Sequence, residues 1–199
     1  MSDPQIDSGK RTWIIASSCA GVVGAGFVAV PFISSFEPSE RARAAGAAVE
    51  VDIADLKPGE KKTVEWRGKP VWIIKRTPEQ LAELPKVDAL LADPKSARKP
   101  DELTPPYARN EGRSIKPDIL VAVGICSHLG CSPSDKFTPG AQASLPDNWA
   151  GGFLCPCHGS TFDMAGRVYK NKPAPDNLEV PPHMYLSDTR LIIGEDKKA

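Results

Sequence analysis

Two short stretches hold four of the chain's five cysteines and two of its three histidines. The first, Cys126 to Cys131, reads CSHLGC, and the second, Cys155 to Ser160, reads CPCHGS. Thiolates and imidazoles are the side chains that soft and borderline metal ions select. Both boxes sit among glycine and proline at the ends of apolar runs, so they read as loops on a rigid base. Between Cys131 and Cys155 lie 23 residues.

Residue types alone allow three divisions of these six groups. Two disulfides with bystander histidines is the plainest, and it requires an oxidising compartment. A zinc site of three cysteines and one histidine uses four groups and leaves one cysteine and one histidine over. The third division takes one thiolate and one imidazole from each box, Cys126 with His128 and Cys155 with His158. Cys131 and Cys157 are then left to bond to each other. Only this division uses every group and gives both loops the same chemistry. A set of two thiolates and two imidazoles suits a two-iron, two-sulfide cluster with both histidines on one iron.

Such loops need elements to hold them. The chain has 199 residues and zero formal net charge, with no basic stripe, so nucleic acid is not an expected partner. Its 20 prolines and 16 glycines point to a loop-rich, β-rich body. Val49, Val51 and Ile53 alternate with polar residues, the pattern of a half-buried strand. Val64-Glu65-Trp66 and Val71-Trp72-Ile73-Ile74 flank the turn Arg67-Gly68-Lys69-Pro70 and predict a hairpin. Pro78 to Leu84 predicts a short helix capped by Thr77. Leu91 to Pro117 is polar and proline-bearing and is expected to be a long surface loop. Asp118 to Ile125 is an apolar strand that runs directly into the first box.

The N-terminal part is of another kind. From Thr12 to Phe36 there are 25 residues without a charge, more than the roughly 20 a spanning helix needs. The run is longer than the apolar core of a signal peptide and no clear small-x-small cleavage site follows, so a retained span is expected rather than a removed signal. Lys10 and Arg11 precede it and place the N-terminus in the cytoplasm by the positive-inside rule. The same dibasic pair looks like an imperfect twin-arginine export signal. Ser17, Gly21, Ala25 and Ala29 put small side chains on one face, where another helix can approach closely. Cys19, inside the span, reads as an inert small apolar residue. Glu37 to Ala48 is rich in alanine and charge and cannot bury itself, so it reads as a linker. Its length would be about 40 Å extended and about 18 Å as a helix.

Taken together, the boxes CSHLGC and CPCHGS resemble those of the Rieske iron–sulfur subunit of the cytochrome bc complex, ubiquinol–cytochrome c reductase, in its bacterial type. The resemblance extends over the N-terminal span, the alanine-rich hinge and the β head. It implies a mainly β fold: an antiparallel β-sheet head with a cluster-binding subdomain, tethered to one transmembrane α-helix. The expected division is a cytoplasmic tail (1–11), a transmembrane helix (12–36), a hinge (37–48) and the head (49–199), with the cluster subdomain at 126–176. The implied cofactor is a Rieske-type 2Fe-2S cluster on Cys126, His128, Cys155 and His158, with a Cys131–Cys157 disulfide bracing the loops. His158 and His128 would face ubiquinol, with His158 making the hydrogen bond to it. The electron would pass to a c-type cytochrome subunit, and cytochrome b would be the other partner, in a dimeric complex of the inner membrane with the head in the periplasm. An exported oxidase with a small Rieske subunit, such as arsenite oxidase, is the alternative. Ring-hydroxylating oxygenases and their ferredoxins fit less well, because they are soluble and usually lack the extra cysteine pair.

Imidazole for thiolate has a physical consequence. It makes the oxidised cluster formally neutral rather than dianionic, and raises the potential by on the order of several hundred millivolts over four-cysteine clusters. A metal-bound imidazole also keeps a proton on its outer nitrogen, which ferric iron acidifies as zinc acidifies water. Electron and proton can then be accepted together.

Around the ligands, the resemblance implies that Ser160 hydrogen-bonds a bridging sulfide, and that Leu129 and the loop from Lys172 through Pro173 to Pro175 shield the cluster. Two positions depart from the family pattern. Phe162 stands where a tyrosine would donate to a cysteine sulfur, and Lys172 stands where glycine usually opens the proline loop. His183 reads as a structural or surface histidine, and Asp163 as a turn residue.

Overall fold

The computed structural model describes residues 7–40, 44 and 46–196. It divides into two compact units, Met1–Ala44 and Ala45–Ala199. In the first, α1 runs from Ser8 to Ser34, with the Asp7 carboxylate capping its N-terminus by accepting from Lys10 N–H. Its 27 residues make it about 40 Å long. None of them is buried, and Trp13, Phe27 and Phe32 are largely exposed. An apolar helix with no protein cover is built for a lipid environment. Of the expected hinge, 37–48, residues 41–43 and 45 lie outside the described residues, as do residues 1–6 of the expected tail.

The second unit is three antiparallel sheets of three strands each. The first joins β1 (Val49–Asp52), β9 (Arg190–Ile193) and β8 (His183–Tyr185) in that order. The second joins β2 (Lys61–Trp66), β3 (Lys69–Lys75) and β4 (Ile119–Val123), and the third β5 (Ser134–Lys136), β6 (Gly152–Leu154) and β7 (Thr161–Asp163). The β2–β3 hairpin is tighter than its sequence predicts. Glu65 pairs with Pro70 and Trp66 with Lys69, leaving Arg67 and Gly68 as a two-residue turn, both at positive φ.

β3 and β4 of the second sheet are buried on both faces, which explains the unbroken apolar run of β4. Trp72 and Ile74 of β3 with Leu120 and Ala122 of β4 face one core, shared with Cys126, Cys155, Phe153 and Phe162. Val71, Ile73, Ile119, Val121 and Val123 face a second core, closed by Val51, Leu191 and Ile193 of the first sheet. Strand alternation thus sends successive residues of one strand into two different cores. Trp72 stacks on Phe153 at 5.0 Å between centroids, and Phe137 meets the same ring edge-on at 5.5 Å. Gly124, between β4 and the first box, leaves room for Trp72: a Cβ there would lie 2.1 Å from the indole.

The helix predicted at Pro78 forms as α2 (Pro78–Glu83), with Thr77 and Gln80 in a reciprocal capping box. The long surface loop expected over 91–117 does not exist as such. It contains the short α3 (Pro100–Leu103) and a 3-10 turn (Pro106–Ala108), and Leu91, Asp93, Ser96, Thr104, Arg113 and Ser114 are buried. Those buried polar residues are internal hydrogen-bonding groups. Arg113, fully enclosed, donates to Thr104 Oγ1 and to the carbonyls of Ala165, Gly166 and Leu178. Arg76 and Arg167 are buried likewise, and all three converge on the turn 163–167 after β7. Burial pushes both the Arg76 and Arg113 guanidiniums down to about 10, against the pull of Asp163.

Candidate metal centre

The first box joins β4 to β5, and the second is the hairpin loop between β6 and β7. The two loops share one backbone design. Cys126 N–H donates to the Cys131 carbonyl at 2.8 Å, and Gly130 N–H returns to the Cys126 carbonyl at 3.1 Å. Cys155 N–H donates to the Ser160 carbonyl at 2.7 Å, and Gly159 N–H returns to the Cys155 carbonyl at 3.0 Å. Each loop closes through its fifth residue, Gly130 at φ 81° and Gly159 at φ 73°, where a side chain would be strained.

This design sorts the six groups. Cys126 and Cys155, first in each loop, are each 2% exposed and lie in the core with Phe153 and Phe162. The Cys126 thiol shares hydrogen bonds with Cys155 and Ser160 and accepts from His128 N–H, and burial pushes its pKa upward. His128 is half-buried and His158 exposed, and their rings meet edge to face at 4.8 Å. Cys131 and Cys157 are joined by a disulfide, with Cα atoms 6.7 Å apart. The sulfurs of Cys131, Cys155 and Cys157 lie within 4.8 Å of one another. Two of those three are spent in the disulfide, so this trio is not a ligand set, and the bridge simply packs against Cys155. The Cys126 and Cys155 sulfurs lie inward and the imidazoles outward.

These residues fit an iron–sulfur cluster. Two adjacent thiols in an apolar core resist ionising together, and a cationic metal makes their thiolate forms favourable. Two imidazoles held side by side at the outer end suit a second iron.

The surrounding residues are placed as follows. Ser160 is buried, and its hydroxyl accepts from Ala174 N–H at 2.9 Å. Phe162 is fully buried in the core that holds both cysteines. Leu129 is 70% exposed. In the proline loop Ala174 is buried, Pro173 and Pro175 are exposed and Lys172 is half-buried. Asp163 is not itself a turn residue but the last residue of β7, and its buried carboxylate holds the turn that follows: it accepts from Ala165 N–H and Arg167 N–H and pairs with Arg167 Nε at 2.8 Å. His183 is buried, with Nδ1 2.9 Å from the Pro181 carbonyl, and belongs to neither loop. Ser127 and Asp176 are contacts the sequence reading missed. Ser127 Oγ donates to the Asp176 carbonyl at 2.6 Å and accepts Asp176 N–H at 3.3 Å. A hydroxyl between two metal-ligand candidates was the one available signal, and its partner is 49 residues away.

Comparison with known proteins shows which family this sequence is similar to. Residues 99–182 match the family described as "Rieske [2Fe-2S] domain". Residues 13–39 match the one described as "Ubiquitinol-cytochrome C reductase Fe-S subunit TAT signal". The ubiquinol-cytochrome c reductase iron-sulfur subunit of Allochromatium vinosum is 54% identical over 94% of this chain and 89% of its own length. That of Rhodospirillum rubrum is 39% identical over 97% of this chain and 96% of its own. Among solved structures, "Hyperthermophilic respiratory Complex III" aligns with a TM-score of 0.45 and 26% identity, over 89% of this chain and 97% of that one. The chain belongs to the family of ubiquinol–cytochrome c reductase iron–sulfur subunits, Rieske 2Fe-2S proteins that form one part of an oxidoreductase complex.

Proposed function

We propose that the head takes one electron and one proton from ubiquinol and passes the electron to a c-type cytochrome subunit, with Cys126, His128, Cys155 and His158 as the cluster ligands. Two observations join in support: matching loops that bury two thiols together, and two touching imidazoles at their outer end. When bound, the Rieske cluster supplies one-electron redox chemistry at a potential raised by its imidazole ligands. The chain's own residues do the rest. Cys126 and Cys155 keep the negative sulfurs away from water. His158, exposed, would accept a hydrogen bond from the quinol hydroxyl and take its proton on the outer ring nitrogen once that nitrogen, acidified by ferric iron, has lost its own proton. His128 lies at 4.8 Å from that ring and completes the tip that receives the substrate. The disulfide keeps the loops in register while charge changes between them.

The division of the chain into a tail (1–11), span (12–36), hinge (37–48) and head (49–199) is part of the same proposal. Lys10 and Arg11 before α1 support a cytoplasmic N-terminus and a periplasmic head. The names of the relatives support a c-type cytochrome as partner; cytochrome b as the other partner, in a dimeric membrane complex, goes with the same reading. The test is quinol-dependent reduction of cytochrome c in membranes carrying single variants. Cys155→Ser and His158→Asn are expected to abolish it and to release iron, whereas Cys19→Ser leaves both intact. Full turnover in His158→Asn would rule out the ligand assignment.

A further inference from the structure

The cover of the metal centre is gripped from two sides. On the inner side each box contributes one hydroxyl. Ser160 Oγ accepts Ala174 N–H at 2.9 Å, and Ser127 Oγ pairs with both the carbonyl and the N–H of Asp176, at 2.6 and 3.3 Å. Ser127 stands between Cys126 and His128, so whatever holds Ser127 also holds both of its neighbours.

On the outer side lies a strap from the segment 91–117. The Asp93 carboxylate shapes it by accepting Ala97 N–H and Arg98 N–H, both at 2.9 Å. Arg98 Nη1 then donates to the Pro175 carbonyl at 2.8 Å, and Lys99 Nζ meets Asp176 Oδ2 at 2.8 Å. Asn177 anchors the far end through the Asp93 carbonyl, Ser96 Oγ and Val168 N–H. Ser96 and Lys99 both hold positive φ, 51° and 44°. Non-glycine residues persist there only where their surroundings over-determine the backbone. The strain sits in the strap that carries Lys99 to Asp176.

We infer that Lys99 and Asp176 are positioning residues for the metal centre: their ion pair fixes the backbone of residue 176 against Ser127, and Ser127 fixes Cys126 and His128. The inference rests on the ligand assignment above. It makes the strap a second, non-covalent brace beside the Cys131–Cys157 bridge, and one that reaches the imidazole end of the site. Loss of the pair lets His128 shift relative to His158, so quinol binding weakens while the electron-accepting chemistry survives.

The experiment uses the full chain in its complex. Lys99→Met and Asp176→Asn are each expected to raise the KM for quinol about two- to fivefold, the ratio a partly exposed ion pair supports, with kcat unchanged and the EPR signal of the reduced cluster broadened. Lys99→Arg restores KM and line shape. Ser127→Ala reproduces the change, and adding Lys99→Met to it brings nothing further, because both act along one line. Lys86→Met, at the exposed pair with Glu83, controls for the loss of a surface charge and is expected to change nothing. Lys99→Met behaving like that control, or adding independently to Ser127→Ala, overturns the inference. If Lys99→Met sheds iron instead, Asp176→Asn, which keeps the side chain's shape, must still show the KM change for the inference to stand. Absence of the EPR signal from the unaltered protein would overturn the ligand assignment itself.

Discussion

At the scale of single residues, position within each six-residue loop decides what a sulfur does. The first cysteine of each loop is drawn into the core, while Cys131 and Cys157 meet at the surface and close the bridge. Replacing Cys131 and Cys157 together by serine should loosen both loops and release the cluster, read as lost iron and lost EPR signal. Full occupancy in that variant would show that the bridge is not needed. Phe162 carries a second prediction. Its ring is fully buried in the core with Cys126 and Cys155. In Phe162→Tyr a hydroxyl that donates to a cysteine sulfur would stabilise the reduced state. One hydrogen bond is worth about 1 kcal/mol, so a rise of roughly 40 mV in midpoint potential is expected for one electron. A redox titration with no rise would count against that hydrogen bond. The cysteines and histidines were legible because few residue types can do this chemistry. Asp176 and Lys99 were not, since their contacts join residues 49 and 77 apart and no local pattern marks a charged residue as a clamp.

At the scale of elements, alternation and capping carried most of the reading. β4, the hairpin, and the capped α2 stand where periodicity puts them. The segment 91–117 was misread because polarity usually means water, while here the polar groups serve distant backbone carbonyls. Arg113 reaches the Leu178 carbonyl, 65 residues on, and nothing near Arg113 in sequence announces that. His183 of β8 provides a pH test at this scale. Burial lowers its pKa from the ordinary value, outweighing the Pro181 carbonyl that raises it. The unfolded chain therefore binds a proton that the folded chain refuses. That part of the stability is fully present above the unfolded value of about 6.5 and falls away as pH drops through it. The urea midpoint of the protein should decline from pH 7.5 to 5.5 more steeply than that of His183→Gln, whose side chain does not titrate. Parallel declines would mean that His183 takes up a proton as readily in the fold as in the unfolded chain.

At the scale of the whole molecule, a long apolar helix and a unit of the Rieske family fit a membrane-anchored subunit. The length of the apolar run and the two boxes made the anchor and the family readable from sequence. The disposition of the head within an assembly was not readable, because it depends on surfaces of other chains. The central claim is that one thiolate and one imidazole from each loop hold the cluster, so that electron and proton are taken up as a pair. A redox titration of the EPR signal in membranes, repeated from neutral to alkaline pH, tests this most directly. The account predicts a signal in the reduced protein and a midpoint that falls as pH rises, its slope approaching about 59 mV per pH unit for one proton per electron. A reduced protein with no signal, or a midpoint that does not change with pH, would contradict it.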